Sequence, residues 1–397
     1  MTRIRVLVSL ALLTWFGVAL YVASVSAQGT ARAGDPLAGL TPQQFAEFRL
    51  GLDDFLEVET PDDGLGPAFN GTSCAACHNV PAVGGAGILL ETRVGYQHPD
   101  GSFRPLNEAG DTLMHLFSTP NHSCQSIIPD DVTVVARRAP IPLFGAGLVE
   151  AIPDDTILAL DDALDRNRDG ISGRAAIVED MATGQARVGR FGWKAQHATL
   201  LAFSGDAYLN EMGISNDLFP RDYAFGVSAD QMRRCDPMPD PEDKRDRVTG
   251  RRGIDNFESF MRLLAPIARD ASTDPSRDGE RIFSAIGCAS CHVPSLTTGQ
   301  SADRLFDRRP VALFSDLLLH DVGTGDGIKQ ASAAPEEIRT PALWGLRLRR
   351  PLLHDGSAAT PADAIMRHRN EADLARLGFE RLSAADRSLL LNFLNSL

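Results

Sequence analysis

Positive charge is in short supply in this chain of 397 residues: 39 Lys and Arg stand against 52 Asp and Glu, a net charge of −13. Nucleic acids and anionic membrane surfaces select for clustered cations, and a deficit of this size gives them no footprint. Cysteine is also sparse. Of the six present, four form two C-x-x-C pairs, so no third pair remains for dithiol exchange. No βαβ pattern surrounds either pair, which removes the usual setting of a thioredoxin-like motif. The pairs lie far apart in sequence, whereas a structural zinc site commonly gathers its four Cys or His ligands within one small ribbon.

What is present is the same five-residue signature twice: Cys74-Ala75-Ala76-Cys77-His78 and Cys288-Ala289-Ser290-Cys291-His292. C-x-x-C-H is the attachment signature of c-type heme. Two thiols one helical turn apart reach the two vinyl groups of one porphyrin, and the next residue, His78 or His292, offers an imidazole nitrogen to the iron. The expected cofactors are therefore two covalently bound c-type hemes. With 43% hydrophobic and 23% charged residues, the remaining composition is that of an ordinary globular protein, long enough for two or three domains.

The first residues read as a secretory signal. Arg3 and Arg5 precede an apolar run from Val6 to Val25, and Val25-Ser26-Ala27 offers small residues for cleavage,. The run is long, so an uncleaved membrane anchor is the alternative. Either way the expectation is export to the periplasm, where c-type heme is attached in bacteria. Cys124 and Cys235 are left over, an even pair in an oxidising compartment. They form either a disulfide or two buried thiols.

Along the chain, Thr41 caps a helix with Pro42 at its first position and Gln44 closing a capping box. Phe45, Phe48 and Leu52 follow at helical spacing. The glycine-rich Pro81–Gly87 stretch is a loop, or backbone lying close against a porphyrin face. Val132–Val135 reads as a short strand. Glu150 follows a mostly apolar stretch, where a carboxyl group acquires a raised pKa and can move protons; a capping or surface carboxylate is the alternative. Asp165, Asn167 and Asp169, with Gly170 after them, match the first half of a calcium loop, but Ala176 stands where the closing Glu belongs. Calcium is one reading and a solvated Asx-rich turn the other. Trp193 and His197 are four apart, as on a helix. Phe257, Phe260, Met261 and Leu264 make another helical pattern. Gly279, Phe283 and Gly287 lead into Cys288, and a helix capped by Ser383 closes the chain with Leu389, Leu390, Phe393 and Leu394 on one face.

Several phrases resemble the di-heme oxidoreductase branch of the bacterial di-heme cytochrome c peroxidase superfamily. They are Phe69-Asn70-Gly71, Pro142–Pro153, Asp169–Arg174, Gly189–Gln196, Asp316–Asp321 and His354-Asp355-Gly356. The resemblance covers nearly everything after the signal. It implies that His78 holds a reactive iron, where peroxide or another oxidant binds. It also implies that His292 holds an electron-transfer iron supplied by a small redox protein. In the peroxidases a Met after the H-D-G turn is the sixth ligand of the C-terminal heme; the corresponding position here is His368, with Met366 as the fallback. Their distal His falls on Val94, leaving His98, His115 and His122 unplaced, or an open site. The resemblance points loosely to Glu150 as a distal acid and to Trp193 or Trp344 as an inter-heme relay.

The expected architecture is mainly α. A signal (1–27) is followed by an N-terminal cytochrome c-like heme domain (28–155), an irregular α segment with the candidate calcium loop (156–270), and a C-terminal cytochrome c-like heme domain (271–397). The expected activity is that of a peroxidase-type di-heme oxidoreductase. A non-catalytic di-heme electron carrier is the main alternative, and an accessory or copper-handling partner a third.

Overall fold

The computed structural model describes residues 31–107, 110–120, 124–236, 244–270 and 277–397. The apolar leader and His122 lie outside them. Among the described residues no helix is long and apolar enough to cross a membrane.

One packing arrangement occurs twice. Helix α1 (Pro42–Leu56) opens with the capping box read from Thr41 and Gln44. It leads to the first cysteine motif and packs against a helix from much later in the chain, α3 (Gly253–Leu263). The two approach so closely that a Cβ on Gly51 would lie 2.2 Å from the Asn256 carbonyl oxygen, so only glycine fits there,. Phe55 packs at a tilt on Phe260, 4.8 Å between ring centroids, and meets His78 edge-on at 6.2 Å. In the second half, α4 (Arg277–Ala285) leads to the second motif and packs against the terminal helix α5 (Ala384–Leu394). Phe283 contacts Phe393 at 5.4 Å and His292 at 6.3 Å. In both halves a Phe on the lead-in helix wedges the motif's His against the closing helix. Residues 156–270 thus supply α3, and also α2 (Leu200–Met212), to the core around the first motif.

The mainly α expectation needs correction. Among the described residues 30% are helical and 13% are in strands, a mixed composition. Strand β1 (Glu91–Gln97) is the centre of an antiparallel sheet, flanked by β2 (Phe103–Arg104) and β3 (Val134–Arg138). The predicted strand at Val132–Val135 is therefore present but begins two residues later. Strand β1 escapes an alternation test because its buried stretch is Arg93-Val94-Gly95: a charged residue and a glycine occupy inward positions that the pattern reserves for apolar side chains. The predicted helix at Trp193–His197 is also absent. That stretch is a tight turn closed by a bridge between Phe191 and His197, with Ala195 at a φ of 49°.

Cys124 and Cys235 form a disulfide, their Cα atoms 6.3 Å apart and 111 positions apart in sequence. A loop of that length loses much entropy on closure, so replacing both residues with Ala is expected to cost about 4–5 kcal/mol of stability. Urea unfolding of the two proteins, compared at equal m-value, measures this.

Candidate functional site

Each cysteine motif opens onto its own cavity. The first has an empty volume of about 1160 Å³ and the second about 1660 Å³, mouths included. Cys74, Cys77 and His78 line the first; Cys288, Cys291 and His292 line the second. The four thiols are free, and the two pairs face different cavities, so they do not combine into one four-ligand zinc site. Burial pushes the Cys74 and Cys288 thiols up to about 12 and that of Cys77 to about 11. They are neutral thiols rather than exposed, activated thiolates.

The two histidines are prepared in the same way. His78 Nδ1 donates to the Gly85 carbonyl at 2.9 Å, and His292 Nδ1 to the Phe314 carbonyl at 3.0 Å. A carbonyl only accepts, so the proton sits on Nδ1 and Nε2 keeps its lone pair for a metal. Burial lowers both rings, that of His292 to about 4, and keeps them neutral. The glycine-rich Pro81–Gly87 stretch does not lie along the cavity. It folds back on the motif itself: a Cβ on Gly87 would sit 1.9 Å from the Cys77 carbonyl oxygen. Its role is to bring the Gly85 carbonyl to His78. This donor set, with an apolar wall of Phe55, Leu143, Phe257 and Met261 beside it, fits an iron porphyrin.

The polar wall of the first cavity was not visible in the sequence. It carries Glu91 and Arg93 from β1, Arg138 from the end of β3, and Asp206, Asn210 and Glu211 from α2. Arg93 donates to both Glu91 carboxylate oxygens, at 2.6 and 3.2 Å. Arg138 donates to Asp326 and Gln330, each at 2.6 Å. Glu91 and Glu211 are hydrogen-bonded to each other. Burial would raise Glu91, but the charges of Arg93 and Arg138 overcome it and hold that carboxyl below its ordinary value. Glu211 is driven up by burial and by the neighbouring Glu91 charge. The pair therefore shares one proton near neutral pH, held on Glu211.

Glu150 lines neither cavity. Its carboxylate accepts from the Leu200 backbone at 2.7 Å, at the start of α2, and pairs with Arg262 at 2.7 Å. This is the capping alternative, and it anchors a helix rather than facing a substrate. Val94 is buried in the core, His98 is exposed at a turn, and His115 packs against Tyr223 at 4.9 Å; none of them lines the first cavity. Among the described residues no second imidazole reaches it.

In the second cavity His368 does reach the lining. Its Nδ1 donates to the Ala364 carbonyl at 2.7 Å, again leaving Nε2 for a metal. Met366, 36% exposed, does not line the cavity. His320 sits beside Cys291, clamped by Asp316 at 2.9 Å and Glu371 at 2.7 Å. Burial opposes its charge, but bonds to Asp316, Cys291 and Glu371 prevail and keep it an imidazolium. In the candidate calcium loop the oxygens serve the loop's own amides. Asp165 and Asn167 each accept from the Asp169 backbone at 2.9 Å, and Asp169 accepts from that of Ile171 at 2.9 Å, the bonding of an Asx-rich turn.

Trp193 is 4% exposed and lines both cavities, its indole N–H donating to the Ala139 carbonyl at 2.8 Å. Trp344 lines neither and packs at Gly145 instead. The indole that separates the two cavities is thus Trp193.

The family model described as "Di-haem oxidoreductase, putative peroxidase" matches residues 93–397, a span that includes the second motif and starts after the first. No curated protein matches. Among solved structures, the chain is similar to the hydrazine synthase of Kuenenia stuttgartiensis, at 16% identity over 94% of this chain and 97% of that one, with a TM-score of 0.39. It is similar to the diheme peroxidase BthA of Burkholderia thailandensis at 16% identity over 93% and 89%, TM-score 0.41. A MauG-like protein associated with microbial copper homeostasis matches at 16% identity over 71% and 95%, TM-score 0.33.

Proposed function

Because the chain belongs to the di-haem oxidoreductase family, we propose that it is an exported, periplasmic oxidoreductase of peroxidase type. A small redox protein would deliver electrons at the His292 cavity, and peroxide or a related oxidant would be reduced at the His78 cavity. Cys74, Cys77 and His78 would hold one heme. Cys288, Cys291, His292 and His368 would hold the other. Bound there, heme supplies a one-electron couple and, where a coordination position is open, a seat for an oxidant.

The observation that carries this reading is the asymmetry of the two cavities. The second offers two prepared imidazoles, His292 and His368, the ligation of an electron-transfer site. The first offers one, His78, and in place of a second it has an acid, a base and two guanidiniums. Glu211 can give its proton to the departing oxygen of a peroxide, and Glu91 can take the proton of the incoming one. Arg93 and Arg138 can stabilise negative charge as it develops. Trp193, packed between the cavities, would be the shortest protein link across them. Export is supported by the disulfide and by the leader's composition,.

Electronic and EPR spectra of the oxidised holoprotein, taken before and after peroxide, test the reading. One high-spin and one low-spin heme are expected, with the high-spin signal responding to peroxide. His368→Ala should convert the low-spin heme to high-spin. Two low-spin hemes inert to peroxide would establish the carrier alternative instead.

A further inference from the structure

The second cavity holds two buried cations that form no ion pair among the described residues. Arg339 is 4% exposed and Arg349 8%, and both line the cavity. Arg339 Nε donates to the Gly192 carbonyl at 2.9 Å and its Nη1 to the Thr340 carbonyl at 3.0 Å. Arg349 has less: one long contact to the Leu353 carbonyl at 3.4 Å, and its guanidinium 5.1 Å from the centre of the Trp193 ring. Among the described residues neither forms an ion pair. Burial lowers both groups to about 10; the charge of Arg349 adds to the lowering of Arg339, and that of Asp316, which is itself bonded to His320, only partly offsets it.

Every other charged group at either cavity that bears on this is matched. Arg93 pairs with Glu91 and Arg138 with Asp326. Arg376, the remaining guanidinium of the second cavity, pairs with Asp373 and Glu380, and the His320 imidazolium is held between Asp316 and Glu371. Of the cavity's acids, Glu371 is bound to His320, and Asp169 accepts from its own loop. An unpartnered buried charge is among the costliest features a fold can carry, and it persists where a ligand supplies the counter-charge. Two guanidiniums lining one cavity match a ligand with two carboxylates, which Arg binds in a fork,. A porphyrin tethered at its vinyl groups presents two propionates on its opposite edge.

We propose that Arg339 and Arg349 hold the two propionates of the heme bound at His292, and that the charge of Arg349 raises the reduction potential of that site. This rests on the heme reading above. Both are positioning residues: they touch the cofactor's substituents, not the oxidant. A fixed cation at the propionate edge disfavours the oxidised, more positive iron, so removing it lowers the potential. Arg349 also stands beside Trp193, which lines the other cavity as well.

The test uses the full-length, heme-loaded protein with Arg349→Gln and Arg349→Lys. Heme content is read by pyridine hemochrome, midpoint potentials by spectroelectrochemistry, and the propionate bending band by resonance Raman. Arg349→Gln should keep two hemes, lower the potential of the His292 heme, leave that of the His78 heme in place, and shift the band. Arg349→Lys should keep most of the potential, because the charge remains, yet still shift the band, because the fork is lost. An unchanged potential and band with both hemes present would overturn the proposal, and would leave a free small anion as the partner of these arginines. If Arg349→Gln does not accumulate, an unchanged band in Arg349→Lys overturns it equally. Wild-type protein lacking covalent heme would instead overturn the reading on which it rests.

Discussion

Glu211→Gln is expected to slow oxidant-dependent turnover by about 10²–10⁴-fold while both hemes stay attached. The amide is nearly isosteric and can still hydrogen-bond to Glu91, so the cavity wall is kept and only the transferable proton is lost. Glu91→Gln should be comparably harmful for the opposite reason, since it removes the base and leaves Arg93 without its bidentate partner. The two carboxyl groups share one proton, so the double variant should be little worse than either single one. Steady-state assays with a reduced donor measure all three. The pH profile gives an independent check. Glu211 acts in its protonated form and its pKa is raised, so the rate should hold through neutral pH and fall on the alkaline side. Glu91 acts ionised and is held low, so the acid limb should lie below the ordinary carboxylate range. Glu211→Gln should abolish the alkaline limb. A variant with undiminished turnover would remove this pair from the mechanism. Glu150→Gln serves as the contrast: it weakens the start of α2 and its pairing with Arg262, so its effect should appear in stability before it appears in rate.

The second large effect concerns the tethers. Cys288→Ser with Cys291→Ser is expected to reduce the covalent heme count from two to one, and Cys74→Ser with Cys77→Ser to do the same at the other cavity. Each motif faces a cavity of its own, and neither can borrow a sulfur from the other. The pyridine hemochrome of acid–acetone-extracted protein counts what remains bound. The surviving spectrum identifies which heme is which. The Cys288/Cys291 variant should keep the peroxide-responsive signal, and the Cys74/Cys77 variant should lose it. A count still at two, or a count of zero in matured wild-type protein, would refute covalent attachment at these residues. Because each His packs against a phenylalanine of the adjoining helix pair, Phe55 or Phe283, an empty cavity should also leave that half of the core less stable. Calorimetry would register this as a lowered Tm.

The two C-x-x-C-H motifs were legible because their chemistry lies within five consecutive residues, and spacing along the chain is what a sequence records. The helices around them were legible for a similar reason: capping at Thr41 and Ser383 and the 3.6-residue period are local. The acid–base wall was not. Glu91, Arg138 and Glu211 lie on three separate elements, and each resembles an ordinary charged residue until β1, β3 and α2 are brought together. Glu150 drew attention because it ends an apolar stretch, but an apolar neighbourhood in sequence is equally the mark of a carboxylate capping a buried helix. Strand β1 was hidden by the same inward charges that make the wall, since a buried Arg93 breaks the alternation by which strands are recognised.

By itself the sequence determined where sulfur and imidazole stand relative to each other, the helices that flank them, and the low positive charge of the whole, because covalent spacing and helical period are local quantities. Only the tertiary structure decided that Cys124 meets Cys235, that Trp193 rather than Trp344 stands between the cavities, that His368 rather than Met366 lines the second, and that a proton-sharing pair of glutamates lines the first. These are contacts between residues far apart in the chain. They exist only once the burial of apolar surface has placed the two helix pairs, and the polar groups carried inward with them must find partners in one another or in a cofactor.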